Sequence, residues 1–379
     1  MATNLSYWEK QHFFDYDIII AGSGIVGLSA SIALKIKEPN LRIAILESGF
    51  LPTGASTRNA GFACFGSISE LIEQEKSCGT DGLHQLIERR WKGLLKLRNL
   101  LGDESINYQN HGGYEIFKPE EYKLSDLCFT KIDHFNSLIR DIVKTNSTYK
   151  ISGSKIADFN FSGINAMIEN RLEAQIDTGR MMRHLLLKSS ALGIFIFNSC
   201  KVTEINETGA GQELITTQGN FLCKKLLLCT NAFIKDLLPD IDVTPGRGQV
   251  IVTSPIKNLK PKGTFHYDRG YYYFRNVGNR VLIGGGRNLD FKAESTTTFG
   301  ETPIVNKALV KLLEEIIIPG SPFEIEYSWS GIMAFGSGID PIIKEVRPGV
   351  FCAVRCNGMG VAIGTQTGED AAKLILELL

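Results

Sequence analysis

The stretch Tyr16-Asp-Ile-Ile-Ile-Ala-Gly22-Ser-Gly24-Ile-Val-Gly27 decides the fold of this chain. Its apolar run at 17–21 predicts a buried parallel strand, and the glycine-rich turn follows this strand at once. A helix is expected at 25–37, and Glu38-Pro39-Asn40 ends it. Residues 42–47 then form a second β-type run that ends in an acid. This is the order of elements in a mononucleotide-binding βαβ unit.

Each residue type in this unit has a physical role toward the ADP half of a dinucleotide. Gly22 permits the tight turn, Gly24 lets the pyrophosphate approach the backbone, and Gly27 lets the helix pack closely on the strand. The helix directs its unpaired N–H groups and positive dipole end at the phosphates. Glu47, twenty residues after Gly27, is expected to bind ribose hydroxyls, which disfavours a 2′-phosphate. The alternative is a tight βα turn that holds no ligand.

The composition narrows the class of protein. A chain of 379 residues is long enough for two structural domains. Lysine plus arginine and aspartate plus glutamate each number 41, so the net charge is zero and no nucleic acid is expected as a partner. The apolar runs are far shorter than a bilayer span, and the N-terminus does not have the pattern of a secretory signal. We therefore expect a cytoplasmic protein with no transmembrane segment.

Cysteines and histidines show no metal-binding pattern. The eight cysteines include no C-x-x-C pair, and buried free thiols are their expected state. The six histidines are isolated, without an H-E-x-x-H motif or a His/Cys cluster at metal spacing. No metal site is therefore expected.

Further elements are predicted along the rest of the chain. Helices are expected at 81–101, 120–144, 178–192 (with Thr178 as N-cap) and 363–378. Strands are expected at 114–117, 194–197, 226–229 and 350–354, with shorter ones near Val202 and Leu214. Residues 245–327 are β-rich, and 271–275 with 280–284 indicate a hairpin. A turn and helix at 230–238 suggest a second contact with the dinucleotide, or an ordinary βα turn. The small-residue stretch 54–67 favours backbone approach to a large flat ligand, with a surface loop as the alternative.

Taken in order, these features resemble the D-amino-acid oxidase (DAO) superfamily of flavoproteins, nearest to its γ-glutamylputrescine oxidase and glycine oxidase-like branch. The likeness covers nearly the whole chain. Besides the glycine turn and Glu47, it is carried by Ser6-Tyr-Trp-Glu9, Ala55-Ser-Thr-Arg-Asn-Ala-Gly61, Gln175-Ile-Asp-Thr-Gly179, Leu227-Leu-Cys-Thr-Asn-Ala232, Pro245-Gly-Arg-Gly-Gln249, Tyr271-Tyr-Tyr-Phe-Arg275, Ile283-Gly-Gly-Gly286, Trp329-Ser-Gly331 and Asn357-Gly-Met-Gly-Val361.

The resemblance implies an α/β fold with an α+β second domain, in a glutathione-reductase/DAO-like architecture. A discontinuous Rossmann-like FAD-binding domain is expected at 14–80, 165–240 and 328–379, and a mixed-sheet substrate domain at 81–164 and 241–327. By position, the FAD site comprises Gly22, Ser23, Gly24, Ile25, Val26, Gly27, Glu47, Ser48, Ser56, Thr57, Arg58, Asn59, Ala60, Val202, Thr230, Asn231, Gly331, Met333, Asn357, Gly358, Met359, Gly360 and Val361.

Three departures from the family pattern bear on cofactor attachment and substrate. Glycine oxidase and D-amino-acid oxidase carry a carboxylate-binding arginine just after Trp-x-Gly, where this chain has Ile332-Met333-Ala334. Sarcosine oxidase attaches its flavin to a cysteine a few residues later, and 336–338 offers none. The lysine that sarcosine oxidase carries beside its last glycine turn is Val361 here. We expect noncovalent FAD and a substrate other than sarcosine.

In the family the substrate α-carbon passes a hydride to flavin N5, and water hydrolyses the resulting imine. The flavin supplies the redox chemistry, so no acid or base is obligatory if the amine arrives neutral. The predicted substrate contacts are Tyr272, Arg275 and Arg247. The tyrosines of 271–274 alternate faces, so one pair is expected in the core, and Arg275 binds either a carboxylate or a structural partner.

The leading function is therefore FAD-dependent oxidation of a C–N bond of an amino acid or amine, with dioxygen or a quinone or other electron carrier as acceptor. A second interpretation is C–O oxidation of a hydroxy acid or glycerol phosphate, because related flavoproteins share the nucleotide-binding half. A third is a tRNA-modifying or non-catalytic FAD-binding protein, which the zero net charge disfavours.

Overall fold

The structure is a computed structural model that describes residues 5–378. Its helices are α1 (Tyr7–His12), α2 (Ile25–Lys37), α3 (Ala55–Arg58), α4 (Ile68–Leu101), α5 (Tyr122–Val143), α6 (Ile156–Phe159), α7 (Thr178–Ala191), α8 (Phe291–Glu294), α9 (Pro303–Leu312) and α10 (Gly360–Glu377). The longest, α4, is kinked at Gly79, whose φ is 73°.

The strands are β1 (Asp15–Ala21), β2 (Ile43–Leu46), β3 (Phe62–Ala63), β4 (Gly113–Phe117), β5 (Tyr149–Ile151), β6 (Ala166–Asn170), β7 (Ala174–Gln175), β8 (Phe195–Phe197), β9 (Val202–Thr208), β10 (Gly211–Thr216), β11 (Gly219–Leu228), β12 (Thr244–Thr253), β13 (Thr264–Tyr267), β14 (Tyr272–Val277), β15 (Arg280–Gly285), β16 (Ile325–Phe335), β17 (Ile342–Arg347) and β18 (Val350–Val354).

The first sheet contains the βαβ unit predicted from the sequence. Its order is β17-β18-β11-β1-β2-β8, with β10 and β9 added beside β11. The central pairs β18–β11, β11–β1, β1–β2 and β2–β8 are all parallel. Helix α2 connects β1 to β2, so the first glycine turn lies at the carboxyl end of the central strand. This is the edge at which open parallel sheets bind ligands.

Helices cover one face of this sheet. Helix α10 packs against both α2 and α4, and α7 lies beside α2. The core between sheet and helices contains Ile18 and Ile20 of β1, Leu28 of α2 and Ile375 of α10, all with essentially no exposure. Because β1 is buried on both faces, its sequence is a continuous apolar run rather than an alternating one.

The second sheet is mixed and lies beyond the nucleotide-type elements. Its order is β16-β12-β15-β14-β13-β4-β6-β5. Every pair is antiparallel except β13–β4. The predicted hairpin is present as β14 and β15, which pair Val277 with Arg280 at the turn. Helix α9 and the segment Leu313–Ile317 pack on its apolar face, and α4 with α5 cover the β4–β6 end.

Several sequence-based boundaries need correction. Strands β6 and β16 pair in the second sheet, although their residues fall mainly in ranges expected for the FAD-binding domain. Asp177 caps α7 instead of Thr178, because its side chain accepts from the Arg180 N–H at 2.9 Å. The segment after Thr230 is a 3₁₀ turn, Asn231–Asp236, shorter than the helix expected. The division of the chain into two domains with the ranges given above stays a prediction.

Candidate flavin and substrate site

A large cavity, with a volume of about 1080 Å³, extends from the glycine turn after β1 to the second sheet. Both sheets contribute to its wall. Most residues expected to bind the cofactor line it: Gly22, Gly24, Ile25, Val26, Glu47, Ser48, Ser56, Arg58, Asn59, Ala60, Val202, Thr230, Asn231, Gly331, Met333, Asn357, Gly358, Met359, Gly360 and Val361. The structure therefore brings together residues that are more than 300 positions apart in the chain.

The glycine turn is built so that bare backbone faces the cavity. Gly22 has a φ of 104°, and a Cβ there would lie 2.8 Å from the Cys229 carbonyl oxygen. A Cβ on Gly27 would lie 2.1 Å from the Gly22 carbonyl oxygen. Gly27 does not line the cavity; it lets α2 approach the turn. A nucleotide pyrophosphate fits such a cradle, because no side chain separates it from the N-terminus of α2.

Glu47 lies at the end of β2 with its carboxylate held from three directions. Its Oε2 accepts from the N–H of Ser23 at 3.0 Å and from the Ser23 hydroxyl at 2.7 Å. Its Oε1 accepts from the Gly49 N–H at 2.9 Å. Ser23 is fully buried and does not line the cavity, so it positions Glu47 rather than contacting a ligand. The carboxylate oxygens can accept further hydrogen bonds at this edge of the sheet. Ribose hydroxyls are suitable donors to them.

The small-residue stretch is a loop whose side chains and backbone bond to neighbouring elements. The Ser56 hydroxyl oxygen accepts from the Ile25 N–H at 2.9 Å, which ties α3 to the start of α2. Arg58 donates to the Ser330 carbonyl at 2.9 Å, and the Trp329 indole donates to the Arg58 carbonyl at 3.0 Å. Thr57 donates to the Pro52 carbonyl and lies off the cavity wall. These contacts fasten the loop to β16 of the second sheet.

The three predicted substrate contacts do not lie on the cavity wall. Tyr272 is 7% exposed and packs in the core on the opposite face of β14, beside Tyr267 at 5.9 Å. Arg247 forms an ion pair with Glu294, with Nε 2.8 Å from Oε2. Arg275 donates to the carbonyls of Ala60 and Ile176. In this structure, protein groups contact all three side chains, and their role as substrate contacts stays a prediction.

Sequence reasoning missed two residues that line the end of the cavity formed by the second sheet. Tyr273 faces it from β14, on the side that strand alternation assigns to Tyr271 and Tyr273. Arg287 reaches it directly after the Gly284–Gly286 run. The sequence shows that the tyrosines of this strand alternate between its two faces, but it does not show which face packs in the core. Arg287 follows a glycine run, and nothing in the neighbouring sequence distinguishes it from a surface cation.

A buried acidic cluster adjoins the same end of the cavity. His266 of β13 lies with Nε2 2.6 Å from Glu173 Oε1 and Nδ1 3.7 Å from Glu70 Oε2. Burial alone would lower the pKa of His266, but the charges of Glu173, Glu70 and Glu115 outweigh it and raise the pKa to about 9. Burial raises the pKa of Glu115 to about 7, against its hydrogen bonds from Ser69.

Cys64 completes a group with Glu173 and His266 whose possible ligand atoms lie within 4.8 Å of one another. The group has the residue types of a metal site. However, burial raises the pKa of the Cys64 thiol well above its usual range, and His266 is already paired with Glu173. All eight cysteines are free thiols, six of them buried.

A parallel sheet with a glycine turn, and a cavity that continues onto a second mixed sheet, suit an oxidoreductase that binds a dinucleotide beside its substrate. The family comparison is consistent with this class. The model of the FAD dependent oxidoreductase (DAO) family matches residues 17–374, and the chain belongs to that family. It is an enzyme, and FAD is the cofactor of its family.

Individual relatives are distant but cover the chain. Glycine oxidase of Geobacillus kaustophilus is 23% identical over 95% of this chain and 93% of its own length. Gamma-glutamylputrescine oxidoreductase of Escherichia coli K12 is 21% identical over 95% of this chain and 83% of its own. The crystal structure of the Geobacillus glycine oxidase superposes with a TM-score of 0.75 and 20% identity, covering 96% of this chain and 95% of that chain. The fold predicted from the sequence is confirmed.

None of the helices within residues 5–378 is both long and apolar enough to cross a membrane.

Proposed function

We propose that this enzyme oxidises a C–N bond of an amine or amino acid and releases the imine for hydrolysis. The observation that carries the proposal is the continuity of one cavity from the dinucleotide cradle to a chamber on the second sheet. Two relatives along nearly the whole chain are named as acting on glycine and on gamma-glutamylputrescine, both of which are amines.

FAD fits the first part of the cavity. The turn at Gly22 and Gly24 would hold the pyrophosphate, Glu47 the ribose, and the backbone of Val202 the adenine. Residues of α3 and the turn before α10 would hold the ring, with Asn357, Gly358 and Met359 at one edge. When bound, FAD accepts a hydride from the carbon next to the amine nitrogen. We propose that the cofactor is noncovalent, because residues 336–338 contain no cysteine.

The chamber beyond the cradle orients the substrate and excludes water. Its walls include the side chains of Phe62, Val250, Tyr273 and Met333. Phe62 packs edge-on against Tyr273 at 5.7 Å between ring centroids. An apolar enclosure of this kind disfavours a charged ammonium and favours the neutral amine, which is the form that gives up a hydride.

Two titratable groups that line the chamber, Tyr273 and His266, keep their protons at neutral pH. Burial raises the pKa of Tyr273 to about 12, so its hydroxyl keeps its proton. His266 keeps its proton because carboxylates surround it. Neither group can act as a base, so we expect the rate of flavin reduction to rise with the fraction of uncharged amine.

The proposal is tested first on the cofactor and then on the reaction. Purified enzyme should absorb near ~450 nm, and acid precipitation should release the colour as a dissociable cofactor. An anaerobic panel of amines should then bleach the flavin, with ammonia or a smaller amine released. Bleaching by hydroxy acids alone would contradict C–N oxidation. Reoxidation by air would distinguish dioxygen from a quinone or another carrier as acceptor.

A further inference from the structure

An arginine with a strained backbone lies directly before the glycine turn that begins α10. Arg355 has a φ of 69°, in the left-handed region that favours glycine, and only 8% of its surface is exposed. It does not line the cavity, although Cys356, Asn357 and Gly358, the next three residues, do. Left-handed residues other than glycine persist where the surrounding structure holds them, and they concentrate at functional sites.

The guanidinium group of Arg355 binds two separate parts of the chain. Its Nε and Nη2 donate to the Asp340 carbonyl at 3.1 and 2.9 Å, and its Nη1 donates to the Asp242 carbonyl at 3.1 Å. Nη1 also forms an ion pair with the Asp242 carboxylate. Asp242 lies just before β12, whereas Asp340 lies in the segment 336–341, which connects β16 to β17. These contacts, the Arg355 clamp, fasten that segment to the chain before β12.

Two glycines let the guanidinium group lie against the segment 336–341. A Cβ on Gly336 would lie 2.6 Å from Arg355 Nη1, and one on Gly338 would lie 3.1 Å from Nη2. Ser337 between them is held as well, because its N–H and hydroxyl both donate to the Asp242 carboxylate. Residues 336–341 form bends rather than a helix or strand, so their position depends on these contacts.

A second side chain binds the same segment to the glycine turn. Asn357 Nδ2 donates to the carbonyls of Gly338 and Ile339 at 3.2 and 2.8 Å. Asn357 and Gly358 also have positive φ values, of 48° and 81°. Ile339 lines the same cavity. Because Arg355 and Asn357 both bind one segment, they fix the direction in which the chain enters α10.

The direction of this turn matters because α10 begins there. Gly360 starts the helix and lines the cavity together with Met359. The first N–H groups of a helix have no partner within the helix, and with the helix dipole they favour negative charge. A flavin gains negative charge on its ring when it is reduced. N–H groups held in fixed positions toward the ring stabilise the reduced form more than the oxidised form.

We propose that Arg355 is a positioning residue for FAD: its clamp on the segment 336–341 fixes the turn before α10, and the protein therefore binds reduced FAD more tightly. The inference rests on the placement of the flavin ring proposed above. Tighter binding of the reduced form raises the reduction potential of the cofactor. The Arg355 clamp thus adjusts how readily the enzyme accepts a hydride, although Arg355 itself does not line the site.

The Arg355 clamp is tested by the reduction potential of FAD in Arg355→Gly. Glycine adopts the left-handed conformation without strain, so this change removes the guanidinium group and lets the backbone keep its shape. We expect the ratio of the affinities for reduced and oxidised FAD to fall about 10-fold. For a two-electron couple this lowers the potential by about 30 mV. Equilibration of the FAD-loaded enzyme with a dye of known potential measures the shift.

Lys144→Gly is the matched control. Lys144 is also a cation with a left-handed φ, 59°, but it is exposed, follows α5 and does not line the cavity. Its replacement should leave the potential at the wild-type value. An unchanged potential in folded, FAD-loaded Arg355→Gly, or an equal fall in Lys144→Gly, would overturn the proposal.

Loss of stability is separated from loss of position by a destabilised variant elsewhere. Asn136 of α5 is buried, binds the backbone of Thr148 and Tyr149, and does not line the cavity. Asn136→Ala should lower the melting temperature and leave the potential unchanged. If it lowers the potential as Arg355→Gly does, the potential follows stability alone and Arg355 has no positioning role.

A milder variant decides the matter if Arg355→Gly does not retain FAD. The side chain of Asp242 is half exposed, and Asp242→Asn removes the charge of the ion pair while the carbonyl contact with Arg355 remains. We expect a smaller fall of the potential in the same direction. A wild-type potential in Asp242→Asn would then contradict the Arg355 clamp.

The amine panel separates this inference from the proposed function. If amines bleach the flavin and Arg355→Gly has the wild-type potential, the Arg355 clamp is wrong and C–N oxidation stands. If no amine bleaches the flavin but Arg355→Gly lowers its potential, C–N oxidation is wrong and the Arg355 clamp stands.

Discussion

At the scale of single residues, the guanidinium group of Arg275 has protein acceptors and does not line the cavity. Arg275 is 7% exposed and donates to the carbonyls of Ala60 and Ile176, which joins β14 to the small-residue loop. Burial lowers its pKa to about 10, so it remains charged at neutral pH. Such an arginine stabilises the fold near the ligand without touching it.

We expect Arg275→Met to destabilise the protein and not to change substrate preference. Removing the guanidinium leaves two buried carbonyls unsatisfied, at a cost of about 1–3 kcal/mol each. Urea unfolding of the FAD-loaded enzyme measures this loss, with the exposed Arg183→Met as control. A stable Arg275→Met enzyme with a selective rise in KM for carboxylated amines would show that Arg275 contacts substrate after all.

Glu47 is expected to determine the affinity for FAD. The amide of Glu47→Gln would still accept from Ser23 but would carry no charge toward the ribose hydroxyls. Charge-assisted hydrogen bonds contribute about 1.5–3 kcal/mol, so FAD should bind at least ~10-fold more weakly. Quenching of flavin fluorescence on titration of the apoprotein gives the dissociation constant. Glu38→Gln, an exposed acid just after α2, should leave it unchanged; equal effects in both variants would argue against a ribose contact.

Most residues expected to hold FAD line the cavity, whereas the three residues expected to contact substrate do not. Glycines and Glu47 act through backbone geometry and spacing that are local in the chain. The choice between Tyr272 and Tyr273 depends on which face of β14 is covered by α9, and α9 was not predicted. Arg275 and Arg287 look alike in sequence; only distant partners, Ala60 for one and Phe335 for the other, separate their roles.

At the scale of elements, close helix contacts hold the cavity wall. Gly93 of α4 abuts α10, and a Cβ there would lie 2.2 Å from the Ala362 carbonyl oxygen. Ala362 and its neighbour Val361 line the cavity at the start of α10. The contact between α4 and α10 therefore determines the position of the N-terminal end of α10 at the cavity.

Gly93→Ala should displace α10 and weaken both folding and FAD binding. Overpacking a tight contact lowers the free energy of unfolding by about 1–3 kcal/mol. The atom that the new methyl group meets is a backbone carbonyl oxygen, which cannot move aside as a flexible side chain can. Thermal melting with and without added FAD measures both effects. Gly153→Ala is the matched control, because a Cβ there meets no atom within 4 Å. An unchanged dissociation constant for FAD in Gly93→Ala would separate the α4–α10 contact from the site.

Helices and strands with local sequence signals were predicted. Strands that form by pairing with segments distant in the chain were missed. The β1–α2–β2 unit and the β14–β15 hairpin carry their own turn signals. Strands β6 and β13 are short, and β13 pairs in parallel with β4 from about 150 residues earlier. Their strand character comes from neighbours in the sheet and not from their own sequence.

At the scale of the whole molecule, one buried ionic cluster links elements that the sequence keeps apart. His266 and Glu115 lie on adjacent strands of the second sheet, Glu70 comes from α4, and Glu173 precedes β7. The cluster holds three carboxylates around one imidazole beside the substrate chamber. Its protonation therefore couples pH to the packing of α4 on the second sheet.

The free energy of unfolding should fall as pH rises from 5 to 9. His266 has a pKa raised from 6.5 to about 9, so its stabilising contribution is complete below 6.5 and is lost as pH rises through 9. Glu115 has a pKa raised from 4.5 to about 7, so the folded state loses stability as that carboxyl ionises between these values. Each shift corresponds to roughly 3 kcal/mol. Urea unfolding at closely spaced pH values should show Glu115→Gln flattening the fall below pH 7 while leaving the fall toward pH 9, and the exposed Glu120→Gln should retain both. A wild-type stability that rises across this range would mean that the histidine is neutral in the folded state.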